Sequence, residues 1–535
     1  MKKTTVYSLG ILLLFAVSGC GNSSDSSDDI STTKDNVSSA APLTVQQLTA
    51  QETMQTAEAQ QQVSEELATL TTEKDYTLSQ PLAVWNPYGT VANSLYLSFE
   101  MEEGHQLSYT ISAPGYEDFS KTAQQTAGAY LLIGFIPSVE NTLTLTITDA
   151  DQAVVTQQSY AVTPPDYPFE TLQLQQTQGT TSEELGDGLY ALIGAGTGHT
   201  FLFDNSGVIR ADLLTSGYRA DRIVETAGGL ILANSNNQIV RLTPLGQLEW
   251  FYELSGYELH HDFALVDDAT LLVLASKVGA ATKEDQILRL DLESGEFSTL
   301  VDMTELLSEY VNIANTSDNE DWDWLHLNTI DLINEDEVVV SSRETSAIIK
   351  ISNVYSDPTL DYLVGEEDIW ADTSYSEKVL TQVGEFPNSG GQHSVTYQAS
   401  DSLAEGQYYQ YFYNNNVWWH ASNPEYDGSI PEGTGDKEEG DKSMYYKYLV
   451  DETAGTYELV QSIDLPYSSI VSNVQQIGDD RLIINSGYNV HLVEEYTTDG
   501  TLIASFDYSD LLQETGMELG YRAFKLSFTN FWFTE

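Results

Sequence analysis

Cysteine is almost absent: Cys20 is the one such residue in a chain of 535. An intramolecular disulfide is therefore excluded, and so is a cysteine-based metal site. Basic residues are scarce too, with 21 Lys and Arg against 81 Asp and Glu and a formal net charge of -60. Such a surface repels nucleic acid, anionic headgroups and, at long range, small anions. No nucleic-acid partner is expected, and any anion site must build its own local positive field. Histidines number only eight and form no His-Glu-x-x-His pattern, so neither a metal nor a cofactor is expected. Apolar residues at 41% suffice for folded cores, which excludes wholesale disorder, and the length calls for two or more domains.

Lys2 and Lys3 precede an apolar run too short to span a bilayer comfortably, the pattern of a signal peptide over residues 1–19. Val17-Ser18-Gly19-Cys20 resembles the bacterial lipobox, whose cysteine becomes the lipidated first residue. A lipid anchor at Cys20, at the cell surface or in the periplasm, is the expectation. Residues 20–75 read as a Ser-, Asp- and Asn-rich tether followed by a helix, since "LTVQQLTAQETMQTAEAQQQVSEELATLTTEK" holds no Gly or Pro. Its apolar stripe is thin, which suits a stalk or docking helix. Residues 76–168 carry short alternating runs such as "SLYLSFEM" and "TLTLTITD", the pattern of a β-sandwich closed by Pro164 and Pro165.

Residues 169–535 are β-rich and repetitive. "ADRIVETAGGLILAN", "HDFALVDDATLLVLAS", "NTIDLINEDEVVVSSR", "HSVTYQASDSLAEGQYYQYFYNN" and "SNVQQIGDDRLIINSG" share one layout. A polar residue opens an alternating strand, an acidic or Gly-containing turn follows, and a second apolar strand returns. The opening residues Ala220, His261, Asn328, His393 and Ser472 recur at intervals of roughly 40–80 residues, each long enough for one four-stranded blade. The expected fold is all-β: a six-bladed β-propeller behind a small N-terminal sandwich and a helical tether. Inner strands of a propeller surround one channel, so the opening residues converge into a ring. His326, two residues before Asn328, is expected on the same strand face.

Buried polar groups left unpaired cost roughly 1–3 kcal/mol each, so this ring is poor filler. Metal binding, general acid/base work and anion binding with a nucleophile compete for it. His260 and His261 are neighbours on a predicted strand and are expected on opposite faces, unable to chelate one ion together. The acidic loop "TSDNEDWDW" offers oxygens to calcium, although such clusters are ordinarily just solvated. Arg343, in "VVVSSRETSAIIKI", follows the His326–Asn328 strand within one hairpin; it suits a tetrahedral oxyanion, or else an ion pair with Glu344.

"HHDFALVDDATLLVLAS", "DWLHLNTIDLINEDEVVVSSRETSAIIKI" and "GGQHSVTY" resemble the motifs of bacterial arylsulfate sulfotransferases, the type that needs no adenylyl-sulfate donor. "WNPYGTVANSLYLSFEM" resembles that family's N-terminal sandwich, and "YELVQSIDLPYSSIVSNVQQIGDDRLIINSG" its late blades. The resemblance implies sulfuryl transfer from an aryl sulfate ester to a phenol through a covalent sulfo-histidine. It implies His393 as nucleophile, with His326, Asn328, Arg343 and His261 holding the sulfuryl oxygens. One of His261 and His326 would exchange the phenolic proton. Ser472 joins as a substrate contact through the repeat register alone.

The chemistry is coherent on its own terms. Imidazole, with an ordinary pKa of about 6.5, is neutral and nucleophilic for much of the time near neutral pH. Two successive displacements predict ping-pong kinetics. Some members of the family carry a disulfide near the nucleophile, which this chain cannot form. A non-catalytic ligand-binding propeller lipoprotein is the alternative, and a hydrolase acting without acceptor is a third reading. A homodimer is one expected state. His105, His199, His420 and His491 fall outside the ring.

Overall fold

The computed structural model describes residues 40–49, 55–314, 322–417 and 442–534. The leader, Cys20, most of the tether, His420 and much of the acidic loop lie outside the described residues.

Two sheets form the N-terminal sandwich. One orders Leu82–Trp85, Leu95–Ser98 and Ala129–Leu132. The other orders Ala41–Pro42, Val154–Val162, Asn141–Thr148, Gln106–Ser112 and Phe119–Thr122. Alternation explains the second sheet: Leu107, Tyr109, Ile111, Leu143, Leu145 and Ile147 are buried while the residues between them are not.

The helix is shorter than expected, spanning Ala57–Glu73. Residues 43–49 run extended along the sandwich instead, with Leu43 N bonded to Ala161 O and Gln46 N to Ala83 O. Edge strands with unpaired carbonyls outcompete a marginal helix there. The helix starts where Thr56 Oγ1 accepts from Ala59 N at 3.2 Å. Val63 and Leu67 are buried, so the helix docks. Gln60 ties it to both neighbours, donating to Tyr88 O at 3.1 Å and accepting from Leu248 N at 2.8 Å.

The remainder is a six-bladed propeller. Blade 1 takes Leu189–Ala195, His199–Phe203 and Ile209–Leu214, and its innermost strand is the C-terminal Leu519–Leu526. Blades 2, 3 and 4 open with Val224–Thr226, Tyr257–Asp267 and Leu327–Asn334; blades 5 and 6 open with His393–Gln398 and Asn473–Ile477. Two joints lock the ring. The last strand closes blade 1, and Gln175–Gln178 adds an outer strand to blade 6. Val91–Ala92 of the sandwich region pairs with Leu213 and Asp212, fusing that region to blade 1.

Neighbouring inner strands are stitched by side chains. Asp262 Oδ2 accepts from Ile330 N at 3.2 Å, Thr329 Oγ1 from Ser394 N at 2.7 Å, and Ser394 Oγ from Val474 N at 3.3 Å. Asn473 Oδ1 accepts from Ala523 N at 2.8 Å. The residue before each of these side-chain acceptors is the ring position, which gives His261, Asn328, His393 and Ser472; on blade 1, Tyr521 stands in the same place before Arg522. Arg522 pairs with buried Asp262 at 2.8 Å and donates to Asn328 O at 3.0 Å. Breaking such a buried pair by removing one partner costs about 3–5 kcal/mol.

Candidate active site

Blade 5 brings His393 to the channel through the turn Gly390–Gln392. A Cβ on Gly390 would meet Val417 O at 2.7 Å, and Gly391 has φ 61°, so glycine is required at the first and favoured at the second. Gln392 anchors the turn in blade 4, donating to Ser341 Oγ at 3.1 Å, Ala347 O at 3.1 Å and Ser342 O at 3.3 Å. These bonds fix the segment in a chain that has no disulfide to offer.

His393 Nδ1 lies 2.7 Å from Asn415 Oδ1 and 3.0 Å from Gly391 O. The Asn415 amide is itself oriented, because its Nδ2 donates to Ser468 O at 2.8 Å and Val471 O at 3.0 Å. Both neighbours of Nδ1 are thus pure acceptors, so Nδ1 carries the proton. The lone pair is left on Nε2, since the ring's hydrogen bonds among the described residues are all at Nδ1. Burial drives the pKa of His393 down to about 3, against the bond to Asn415, and the charges of Arg343, His326 and Arg522 add to the fall. The ring is a neutral base across the working range.

The opposite wall is charged. His326 Nδ1 sits 2.6 Å from Glu284 Oε2 and 2.6 Å from Asp323 Oδ2. Burial pulls this imidazole down, but Glu284 overrides it with help from Asp323 and raises the pKa above the ordinary value. Glu284, in turn, is held well below the carboxylate range by His261 and His326 in spite of its burial. The two carboxylates at Nδ1 thus favour the charged form of His326. Its buried Nε2 has no partner, a donor whose isolation costs roughly 1–3 kcal/mol unless a ligand meets it.

His261 stands beside it, ring centroids 4.5 Å apart. Its Nδ1 is 2.8 Å from Tyr521 Oη and its Nε2 3.2 Å from Glu284 Oε2. Burial lowers its pKa well below the ordinary value. Both nitrogens are engaged, so His261 is not a free sulfuryl donor here. Arg343 borders Gly391, its Cγ 3.8 Å from where a Cβ would stand. Its Nε donates to Glu344 Oε1 at 2.8 Å, Nη2 joins the same oxygen, and Nη2 lies 3.6 Å from Asp323 Oδ2. The ion pair with Glu344 thus forms, yet Nη1 keeps no protein partner among the described residues.

Four other expectations change. His260 and His261 do not face apart: their rings meet edge-to-face at 5.4 Å. His261 has φ 60°, in the left-handed region, and a bulge between Leu259 and Phe263 breaks the alternation that the sequence argument assumed. His326 precedes its strand with φ 51°, so the strand-face rule does not place it; the turn does. Asn328 is fully buried and spends its amide on Gln392 O at 2.8 Å, which makes it a support for the His393 turn. Ser472 is also used up: its Oγ bonds Ser468 Oγ and Ile470 O and accepts from Gly487 N.

Ligand-capable atoms of His260, His261 and Glu284, and of Glu284, Asp323 and His326, lie within 4.8 Å of one another. The 2.6 Å contacts of His326 Nδ1 are too short for two ligands of one ion, whose bonds of about 2.0–2.1 Å hold donors near 3 Å apart. His261, Glu284, Asp323 and His326 form a hydrogen-bonded ion-pair network, whereas neither ring nitrogen of His260 has a hydrogen-bond partner among the described residues. Among the residues missed in the sequence, Tyr521 would have emerged by carrying the repeat into "LGYRAFKL", and Asn415 is flagged weakly by Asn414-Asn415-Asn416. Asp323 lies in the acidic loop and at the head of the His326 motif but is not read from there as a partner of His326, and Glu284 carries no local signal.

Fold and site together define an all-β six-bladed propeller that gathers imidazoles and a guanidinium where its inner strands meet. The chain belongs to the arylsulfotransferase (ASST) family: residues 174–522 match that family's profile, and residues 82–165 match the arylsulfotransferase Ig-like domain. It is an aryl-sulfate sulfotransferase by that membership. A comparison with curated proteins returns no match. Among solved structures, an auxiliary nutrient binding protein from Bacteroides thetaiotaomicron aligns over 78% of this chain and 94% of its own, at 10% identity and TM-score 0.30. The WD40 domain of Toxoplasma gondii coronin aligns over 63% and 74%, also at 10% identity and TM-score 0.30. Similarity at that level carries nothing about function.

Proposed function

We propose that the protein moves a sulfuryl group from a phenolic sulfate ester to a phenol in two displacements through sulfo-His393. The carrying observation is the tautomer: two oxygens hold Nδ1–H, so Nε2 presents its lone pair. Nε2 attacks sulfur as the S–O(aryl) bond breaks, and the phenol departs. An acceptor phenol then attacks the same sulfur and releases the imidazole. Asn415 Oδ1 and Gly391 O stabilise the positive charge that the N-sulfo ring acquires. By analogy with phosphoryl transfer, negative charge gathers on the peripheral oxygens. Arg343 Nη1, which has no protein partner among the described residues, is the donor left to meet it.

Release of 4-nitrophenol from 4-nitrophenyl sulfate, strongly stimulated by added phenol, is the expected result. Release indifferent to phenol would instead mark a hydrolase, and none under a range of phenols a binding propeller. We also propose that Cys20 anchors the chain outside the cytoplasmic membrane, on the strength of Val17-Ser18-Gly19-Cys20. Cys20→Ser should then leave the protein unlipidated by mass spectrometry.

A further inference from the structure

Glu284 is not part of any motif that points to sulfuryl transfer, and a carboxylate is an unexpected neighbour for an anionic substrate. It comes from the loop between the second and third strands of blade 3, with φ 56°. One oxygen, Oε2, bridges His326 Nδ1 at 2.6 Å and His261 Nε2 at 3.2 Å. Its backbone is pinned as well, with Glu284 N donating to Ser276 Oγ at 2.9 Å and Glu284 O accepting from Leu327 N at 3.1 Å. A left-handed backbone and two fixed main-chain bonds hold this carboxylate against both imidazoles.

We propose that Glu284 is a positioning residue that makes His326 the proton donor to the departing phenolate and the acceptor of the incoming phenol's proton. This rests on the sulfo-His393 reading above. Because Glu284 and Asp323 accept from Nδ1–H, the exchangeable proton is the one on Nε2, the atom with no partner. His261 is unsuited to the role, since Tyr521 and Glu284 occupy both of its nitrogens.

The step balances. The His393 Nε2 lone pair forms the N–S bond, and the S–O(aryl) pair leaves with the phenolate oxygen. That oxygen takes the proton from His326 Nε2. The products are a phenol, a neutral His326 still bonded to Glu284 through Nδ1–H, and a zwitterionic sulfo-imidazolium. The second displacement reverses each transfer with the acceptor phenol. The charged and titratable groups facing His326 are Glu284, His260 and His261 from blade 3, Asp323 and Arg343 from blade 4, and His393 from blade 5. Glu284 and Asp323 favour its charged form, and Arg343 opposes it.

Glu284→Gln keeps size and removes the charge. Proton donation matters most for poor leaving groups, so single-turnover sulfation of His393 is to be compared for phenyl sulfate and 4-nitrophenyl sulfate. The variant should lose more on phenyl sulfate by on the order of 100-fold, a usual general-acid contribution. The alkaline limb of its rate should also move to lower pH, because an imidazolium without its anion gives up its proton sooner. Glu284→Asp should recover part of both. His326→Gln should show the same leaving-group bias and lose the limb, which keeps the test open if Glu284→Gln does not fold. Equal losses on both donors, with an unmoved limb, overturn the inference while leaving sulfo-His393 intact. Absence of any label in the wild-type protein overturns the underlying reading instead.

Discussion

His393 and His326 are both buried imidazoles lining one channel, on adjacent blades, yet their surroundings shift their protonation in opposite directions. On the blade 5 wall, Nδ1 of His393 meets two neutral oxygens, from Asn415 and Gly391. On the wall built by blades 3 and 4, Nδ1 of His326 meets two carboxylates, from Glu284 and Asp323. Burial acts on both in the same direction, disfavouring the cation. The partner at Nδ1 decides the outcome: an amide oxygen orients the ring without compensating its charge, whereas a carboxylate does both. One channel thereby holds an imidazole whose neutral form is favoured and another whose charged form is favoured.

The comparison can be broken at its most demanding point first. His393→Ala should abolish the acid-labile sulfuryl label obtained with donor alone and cut transfer by at least about 10³-fold; label retained elsewhere in the chain would remove His393 from its role. Arg343→Ala takes away the fixed cation nearest the nucleophile's turn. Its transfer rate should fall by roughly 10²–10³-fold, as when an oxyanion donor is lost, read from initial rates at saturating donor.

Asn415→Asp sharpens the contrast by giving the blade 5 wall a carboxylate of its own. In the wild-type protein His393, at about 3, stays unprotonated throughout ordinary assay pH. An anion at Nδ1 raises that value, by roughly 1–3 units, so the variant's nucleophile is lost as pH falls through the new value. A pH profile should show an acid limb displaced upward, with little change above neutrality. Ser472→Ala tests the smallest difference, that between sharing the ring position and sharing the role. Transfer should change by less than about 3-fold, while the melting temperature drops as hydroxyl bonds of about 1 kcal/mol each are lost.

Much of the architecture could be read before any coordinates. Alternating runs in "TLTLTITD" marked the sandwich, and the recurring openings at His261, Asn328, His393 and Ser472 marked the blades, because burial of one sheet face imposes a period of two on the chain. The helix boundary was less legible: residues 43–49 have helical composition but find a sheet edge to pair with. Within the site, the gathering of His261, His326 and Arg343 was legible, and their working state was not. Left-handed turns at His261 and His326 re-aim both rings, and periodicity arguments assume regular strands.

By itself, the sequence determined the β-rich repeat and its blades, which chemistries a lone cysteine and a scarcity of cations forbid, and that polar residues open the inner strands. Only the tertiary structure decided which nitrogen of each histidine is free, that Asn328 and Ser472 are spoken for, and that Glu284, Asn415 and Tyr521 belong to the site. The physical reason is that a proton's location depends on the few ångströms around one atom. Those surroundings are supplied by residues from separate blades, which the chain's local pattern does not encode.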